Sequence, residues 1–296
     1  MEHIKVKEGN GIFPPIDMAL STGYSEAMFE QDGHLEPDQI LVAPSAVPSP
    51  QYSKPIDVSV WSFWPTFGFS LMMGIVNGIA ALLAVLIVLD FTLLSNPGFN
   101  WTDYIFNNFG TEFNAALVTS IIVSDAVSLA LIGGLVLAKH GATLKEYLAL
   151  KPIPVKTIAK LVALTLGLVA VSAIVDSFRN LPNNGTATDS IYNGVWPIFV
   201  WMAVVFVAPL FEEVMFRGFM FQGFLRTRLG PALAIILPAI WWGSLHAQYG
   251  GFDRGVIMVL GIILATVRFK TGSLYAPLVM HATWNLISMI QLSFVN

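Results

Sequence analysis

The stretch Phe211-Glu212-Glu213-Val214-Met215-Phe216-Arg217 decides the fold of this chain, because it places three formal charges inside a long apolar run. An ionised side chain at bilayer depth costs at least about 2.5–3.5 kcal/mol, so intramembrane charges usually face a partner or a cavity. On a helix Glu213 and Arg217 are i,i+4 neighbours that neutralise each other. Glu212 lies roughly 100° further round and lacks that partner, which makes it a candidate general base.

The composition of the whole chain is that of a membrane protein. Of its 296 residues, 55% are hydrophobic and 11% are charged, and the mean hydropathy is +0.69. Soluble domains carry about 25% charged residues, so the chain is not an ordinary soluble domain. It has no cysteine, which excludes disulfides, thiolate nucleophiles and cysteine-bound metal. A net charge of −4 without a basic, aromatic-interleaved stretch argues against a nucleic-acid partner.

The first 57 residues differ from the rest of the chain. They hold seven of the 17 prolines and contain no apolar run long enough to cross a bilayer. No cationic start leads into an apolar segment, so we expect no cleaved signal peptide. We interpret residues 1–57 as a polar, irregular cytoplasmic tail with one short helix around Tyr24–Gln31. Residues 58–296 are expected to form a transmembrane helical domain.

Apolar segments of the length that a spanning helix needs predict an all-α, polytopic transmembrane helix bundle of about seven spans. They are Val60–Leu89, Phe113–Leu137, Ile158–Val175, Val195–Leu225, Pro231–Leu245, Val256–Phe269 and Leu274–Phe294. A kink is expected at Pro209 in the fourth. Lysine and arginine crowd alternate connections, which places the amino terminus in the cytoplasm by the positive-inside rule.

Polar residues in the first two spans have weaker readings. Asn77 and Asp125 either hydrogen-bond between helices or line a path. Gly74 and Gly78 form a small-x-x-x-small pair, which favours close helix packing or a homodimer.

Further polar residues recur at the depth of Glu212. Glu212, His246 and His281 all lie roughly 16–22 Å, at about 1.5 Å per helical residue, from anchors on the cytoplasmic side. These anchors are Arg226, the helix start at Pro231 and Lys270, respectively. Trp242 lies one helical turn before His246, and Asn285 one turn after His281. A desolvated carboxylate assisted by a histidine activates water, and a second histidine with an amide donates hydrogen bonds to an oxyanion. Alternatively, Glu212, His246 and His281 match the ligands of a catalytic zinc ion.

In this order the residues resemble the three motifs of the CAAX-protease and bacteriocin-processing (CPBP) family, which includes the type II CAAX prenyl endopeptidases. The motifs are Glu-Glu-x-x-x-Arg from Glu212 to Arg217, aromatic-x-x-x-His from Trp242 to His246, and His-x-x-x-Asn from His281 to Asn285. The similarity covers residues 195–296, which we expect to form the catalytic core. The second motif usually begins with phenylalanine, and here Trp242 holds that place.

The resemblance implies a role for each motif residue in a membrane-embedded peptidase. Glu212 and His246 would activate the attacking water, and His281 and Asn285 would stabilise the tetrahedral oxyanion. Glu213 and Arg217 would hold their helix in place. The same side chains serve a metal-free scheme and a zinc scheme, so the zinc alternative stays open.

The resemblance also implies a substrate and a location. The substrate would be a peptide or protein, lipidated or membrane-associated, cleaved near the cytoplasmic face of the bilayer. The long acidic tail and the absence of an endoplasmic-reticulum retention signal favour a bacterial inner membrane over the endoplasmic reticulum. Two alternatives from other classes are a non-catalytic, immunity-type membrane scaffold and a proton-coupled transporter. The transporter alternative predicts two repeated halves, and no internal repeat is visible.

Overall fold

The computed structural model describes residues 58–95, 111–179 and 195–295 of the chain. Within these ranges the regular structure is helical and no strand occurs, which confirms the all-helical prediction. The predicted polar tail, including Tyr24–Gln31, lies outside the described residues.

The described residues form seven long helices and a short one that coincide with the seven predicted spans and one connection. The helices are α1 (Phe63–Ser95), α2 (Thr111–Ala138), α3 (Leu144–Tyr147), α4 (Val155–Phe178), α5 (Pro197–Leu225), α6 (Gly230–Leu245), α7 (Gly251–Thr271) and α8 (Tyr275–Val295). Helices α1, α2, α4 and α5 are long and apolar enough to cross a membrane, and α6 is a shorter apolar helix. Many large apolar side chains on α1, α4 and α5 are exposed, as expected for surfaces that face lipid.

Helix α7 is longer than the span Val256–Phe269 that hydropathy predicts. It begins at Gly251, because the first turn contains charged residues that lower the hydropathy without preventing a helix. It ends where Gly272 adopts a left-handed conformation, with φ of 63°, and donates its N–H to the Arg268 carbonyl at 3.0 Å. A glycine in this conformation is a common helix stop.

Helix α5 lies at the centre of the bundle and contains two π-helical segments. They are Met202–Val207 and Glu213–Met220, and the turns between and around them are α-helical. All eight residues of the second segment are buried against neighbouring helices. The first segment ends two residues before Pro209, in the region where a kink is expected. A π-helix bonds each carbonyl to the N–H five residues later, so the two segments change which side chains share a face.

The connection between α2 and α4 packs beneath α5. The ring of Tyr147 in α3 stacks on Phe219 with 5.7 Å between ring centroids. Burial raises the pKa of Tyr147 to about 12, so its hydroxyl stays neutral at physiological pH. Nearby, the ammonium of Lys139 lies 4.8 Å from the ring centroid of Trp61, which joins the end of α2 to the start of α1.

Polar side chains join α1 and α2 inside the bundle. The Asn77 amide of α1 donates hydrogen bonds to Asp125 and to Ser128 of α2, each at 3.1 Å. Of the two roles expected for Asn77 and Asp125, these contacts match hydrogen bonding between helices. Gly74 and Gly78 are exposed, and a Cβ built on either glycine would meet nothing within 4 Å. The expected close packing at these glycines therefore does not occur within the described chain, and the homodimer remains a prediction.

Candidate active site

Glu213 is the buried centre of a polar cluster in α5. Its Oε1 accepts a hydrogen bond from Arg217 Nη1 at 3.0 Å and lies 2.9 Å from His281 Nδ1. The side chains of Glu213 and Arg217 are fully buried. Removing one partner of such a pair leaves an uncompensated buried charge, which is strongly destabilising. The i,i+4 contact expected from the sequence is therefore present, and His281 joins α8 to it.

Glu212 lies at the more open side of this cluster. Its side chain is 22% exposed, and its Oε2 accepts a hydrogen bond from the indole Nε1 of Trp242 at 2.6 Å. The same oxygen lies 3.6 Å from His281 Nε2. Both glutamates lie close to His281, but their other partners differ. Glu213 binds a guanidinium in the interior, whereas Glu212 accepts a hydrogen bond from an indole.

Trp242 of α6 connects the polar residues of three helices. Its ring lies 4.5 Å from the guanidinium carbon of Arg217 and 5.2 Å from the ring of His281, edge to face. The sequence indicated only an aromatic residue here, whereas the structure adds an N–H donor to Glu212. Helix α7 approaches Trp242 closely because residue 261 is glycine, whose carbonyl also accepts from Arg217 Nη2 at 3.2 Å. A Cβ on Gly261 would lie 3.1 Å from the indole.

His246 lies at the end of α6, one turn after Trp242. Its Nδ1 is 2.8 Å from the Trp242 carbonyl, so Nδ1 carries the proton and neutral His246 keeps Nε2 as an acceptor. Its ring packs edge-on against Trp242 at 5.1 Å and stacks on Tyr249 at 6.2 Å. Within the described residues no ion pair joins His246 to Glu212, and the two are connected through Trp242. The histidine in contact with Glu212 is His281.

Asn285 follows His281 by one turn on α8 and contacts the backbone of α5. Its Nδ2 donates to the Val204 carbonyl at 2.8 Å. This bond uses one of the two amide hydrogens, and the second remains available for another acceptor. The structure therefore places Asn285 beside the first π-helical segment.

A zinc ion does not fit the described arrangement of Glu212, His246 and His281. Glu212 contacts Trp242 and His281, whereas the described contacts of His246 are with Trp242 and Tyr249. In the part of the chain that the structure describes, no group of three or more His, Cys, Asp or Glu side chains is positioned to hold a metal ion.

The helices and this cluster together define a class of protein: a helical membrane protein with a carboxylate–histidine site inside its bundle. Residues 194–287 match the family model described as type II CAAX prenyl endopeptidase Rce1-like. The matched stretch contains all three motifs, so the resemblance to the CPBP family is confirmed for this domain. No curated protein and no solved structure matches the chain.

Proposed function

We propose that the protein is a membrane-embedded endopeptidase that hydrolyses a peptide bond with water activated by Glu212. The observation that carries the proposal is the unequal pair of glutamates within an Rce1-like domain. Glu213 is bound by Arg217 and His281, whereas partly exposed Glu212 forms no ion pair with a guanidinium among the described residues. A carboxylate held by neighbours but reachable by water is suited to general-base catalysis.

The hydrogen bonds of the two histidines support different roles for them. His246 donates through Nδ1 to a neutral carbonyl, so its Nε2 can accept a hydrogen bond from the attacking water. Glu212 would take the proton of that water as the general base. His281 donates through Nδ1 to the Glu213 carboxylate, which is the counter-charge whenever both ring nitrogens are protonated. In that form Nε2–H of His281 is a donor for an oxyanion, and Asn285 supplies a second donor through its remaining amide hydrogen.

The proposed substrate is a membrane-associated peptide, and the proposed site of cleavage lies near the cytoplasmic face. Exposed apolar side chains on α5 near Glu212, such as Phe206 and Leu210, suit a substrate that carries a lipid or an apolar segment. Peptides with and without a prenylated cysteine near the carboxyl terminus distinguish these two forms.

A direct assay with matched variants tests the proposal. Purified protein in liposomes is incubated with quenched fluorescent peptides, and the products are identified by mass spectrometry. We expect cleavage by the parent protein and none by Glu212→Gln, which keeps the shape of the side chain and removes the base. Glu146→Gln is the control, because Glu146 is an exposed glutamate on α3. Absence of cleavage by the parent protein across both peptide sets, or cleavage retained in Glu212→Gln, would overturn the proposal.

A further inference from the structure

Arg268 is a buried cation on α7 whose position the site chemistry leaves unexplained. It is 3% exposed, and its guanidinium lies 5.2 Å from the ring of Phe221 on α5. Its Nε donates to the main-chain carbonyl of Arg217 at 3.1 Å, while its Nη2 is buried without a hydrogen-bond partner. No carboxylate of the described residues forms an ion pair with it. A buried guanidinium with so few partners is costly, so its contact with the α5 backbone requires a reason.

The hydrogen bonds of the second π-helical segment supply the reason. The segment ends at Met220, and the N–H of Phe221 donates to the carbonyl of Phe216, five residues earlier. When the helix then returns to four-residue spacing, the pattern passes over the next carbonyl, which is that of Arg217. A buried carbonyl without a donor is unfavourable. Arg268 donates to this carbonyl, where α5 itself offers no donor of the regular pattern.

We propose that Arg268 is a positioning residue that holds the π-helical register of Glu213–Met220 and so fixes the two glutamates on their partners. The role in catalysis rests on the proposed function, whereas the role in register does not. Without this donor, α-helical spacing throughout the segment is favoured, because it gives each carbonyl of the segment a backbone donor. The hydrogen bond from Arg268 of α7 to the Arg217 carbonyl therefore favours the five-residue spacing.

Loss of the π register would displace the reacting groups. Removing the extra residue of a π segment turns the upstream part of the helix by roughly 100° relative to the downstream part. Glu212 and Glu213 would then leave Trp242 and His281, whose positions are set by α6 and α8. A misplacement of about 1 Å at a reacting group can lower the rate by about 100-fold.

The absence of cysteine allows a register measurement that does not depend on activity. A single spin label at Phe206→Cys reports on the upstream part of α5, because Phe206 is 65% exposed whereas neighbouring Val205 is 2% exposed. Accessibility of the label to oxygen is measured by electron paramagnetic resonance in liposomes. In Arg268→Met, whose side chain has no hydrogen-bond donor, we expect a clear fall in accessibility, because the labelled position turns toward the bundle. A label at Ile236→Cys on α6 should be unchanged.

Kinetics and matched variants complete the test. We expect Arg268→Met to lower kcat by at least about tenfold with little change in KM, because positioning rather than binding is impaired. Arg268→Lys should restore part of kcat and of the label accessibility, because its ammonium can donate to the same carbonyl. Lys270→Gln on the exposed face of α7 is the control and should match the parent.

The outcomes separate the inference from the proposed function. Unchanged label accessibility in folded Arg268→Met would overturn the inference, whatever the activity. If the parent cleaves no peptide, the label still decides the role in register. If Arg268→Met does not fold, Arg268→Gln and Arg268→Lys carry the test, because the side chain of either can donate to the Arg217 carbonyl. Label accessibility equal to that of the parent in these variants would support the inference, and a clear fall in both would overturn it.

Discussion

The two π-helical segments of α5 differ in what sets their register. After the first segment, Met202–Val207, continued five-residue spacing would require the Val204 carbonyl to accept from residue 209. Residue 209 is proline and has no N–H, so the local sequence ends the pattern. The segment Glu213–Met220 contains no proline and is held by side chains from other helices. One register is therefore specified locally, and the other by tertiary contacts.

Both segments leave a carbonyl that a side chain of another helix satisfies. The N–H of Ala208 donates to Ala203, so the pattern passes over Val204, and Asn285 donates to that carbonyl. The Arg217 carbonyl is passed over in the same way and accepts from Arg268. The difference lies in the consequence, because the second segment begins at Glu213 and its register determines where the glutamates point.

The largest effect is expected from breaking the second segment at its charged centre. Glu213→Ala leaves the fully buried Arg217 unpaired, which costs on the order of 3–5 kcal/mol of stability. We expect a large loss of folded protein, measured by size-exclusion chromatography in detergent and by thermal unfolding. Glu146→Ala is the exposed control. Normal folding with a purely catalytic loss in Glu213→Ala would contradict the separation of roles between Glu213 and Glu212.

The sequence predicted those parts of the fold and site that local spacing determines. Hydropathy located the long helices, and the i,i+4 rule predicted the pair of Glu213 and Arg217. The sequence could not indicate which histidine contacts Glu212, because the depth of a residue along its helix does not determine which residues of other helices lie beside it. The sequence also could not indicate the contact of Arg268 with α5, since its position near a span end is equally that of an interfacial charge. The π-helical segments were not predicted, because one extra residue in a helical segment does not change the hydropathy of an apolar run.

A smaller effect sharpens how the second segment contacts α6. Trp242→Phe keeps a ring beneath Arg217 but removes the N–H that donates to Glu212 at 2.6 Å. Because a hydrogen bond to a charged group contributes about 1.5–3 kcal/mol, we expect kcat to change by roughly tenfold or more while the protein stays folded. Trp242→Leu also removes the cation–π contact and should lower the unfolding temperature further. Equal unfolding temperatures for the two variants would argue against the role of the ring under Arg217.

Substitution of Asn285 tests the hydrogen bond that α8 makes to the first π-helical segment. Asn285→Ala removes the donor to the partly buried Val204 carbonyl, and leaving this group unsatisfied costs at most about 1–3 kcal/mol. If Asn285 also donates to the oxyanion, kcat should fall by more than stability alone explains, so both are measured on the same preparation. Ser288→Ala, an exposed position on α8, is the control. A loss of stability with unchanged kcat in the folded fraction would restrict Asn285 to the structural role.

The smallest effect is expected at Pro209, and its sign depends on Asn285. Pro209→Ala restores a backbone N–H that can donate toward the carbonyl of Val204 or Val205, a net gain of about 0.5–1.5 kcal/mol. It also frees the unfolded chain, which offsets about 0.4–1 kcal/mol, so the single variant should be close to the parent in unfolding temperature. In the Asn285→Ala background the new N–H has an unsatisfied carbonyl to fill, so Pro209→Ala should recover part of the lost stability. A double-mutant cycle measures this coupling. If the stability changes of the two substitutions are strictly additive, the Val204 carbonyl does not depend on Asn285 for its donor. The first π-helical segment would then not be stabilised by a side chain of another helix, which would contradict the comparison of the two segments.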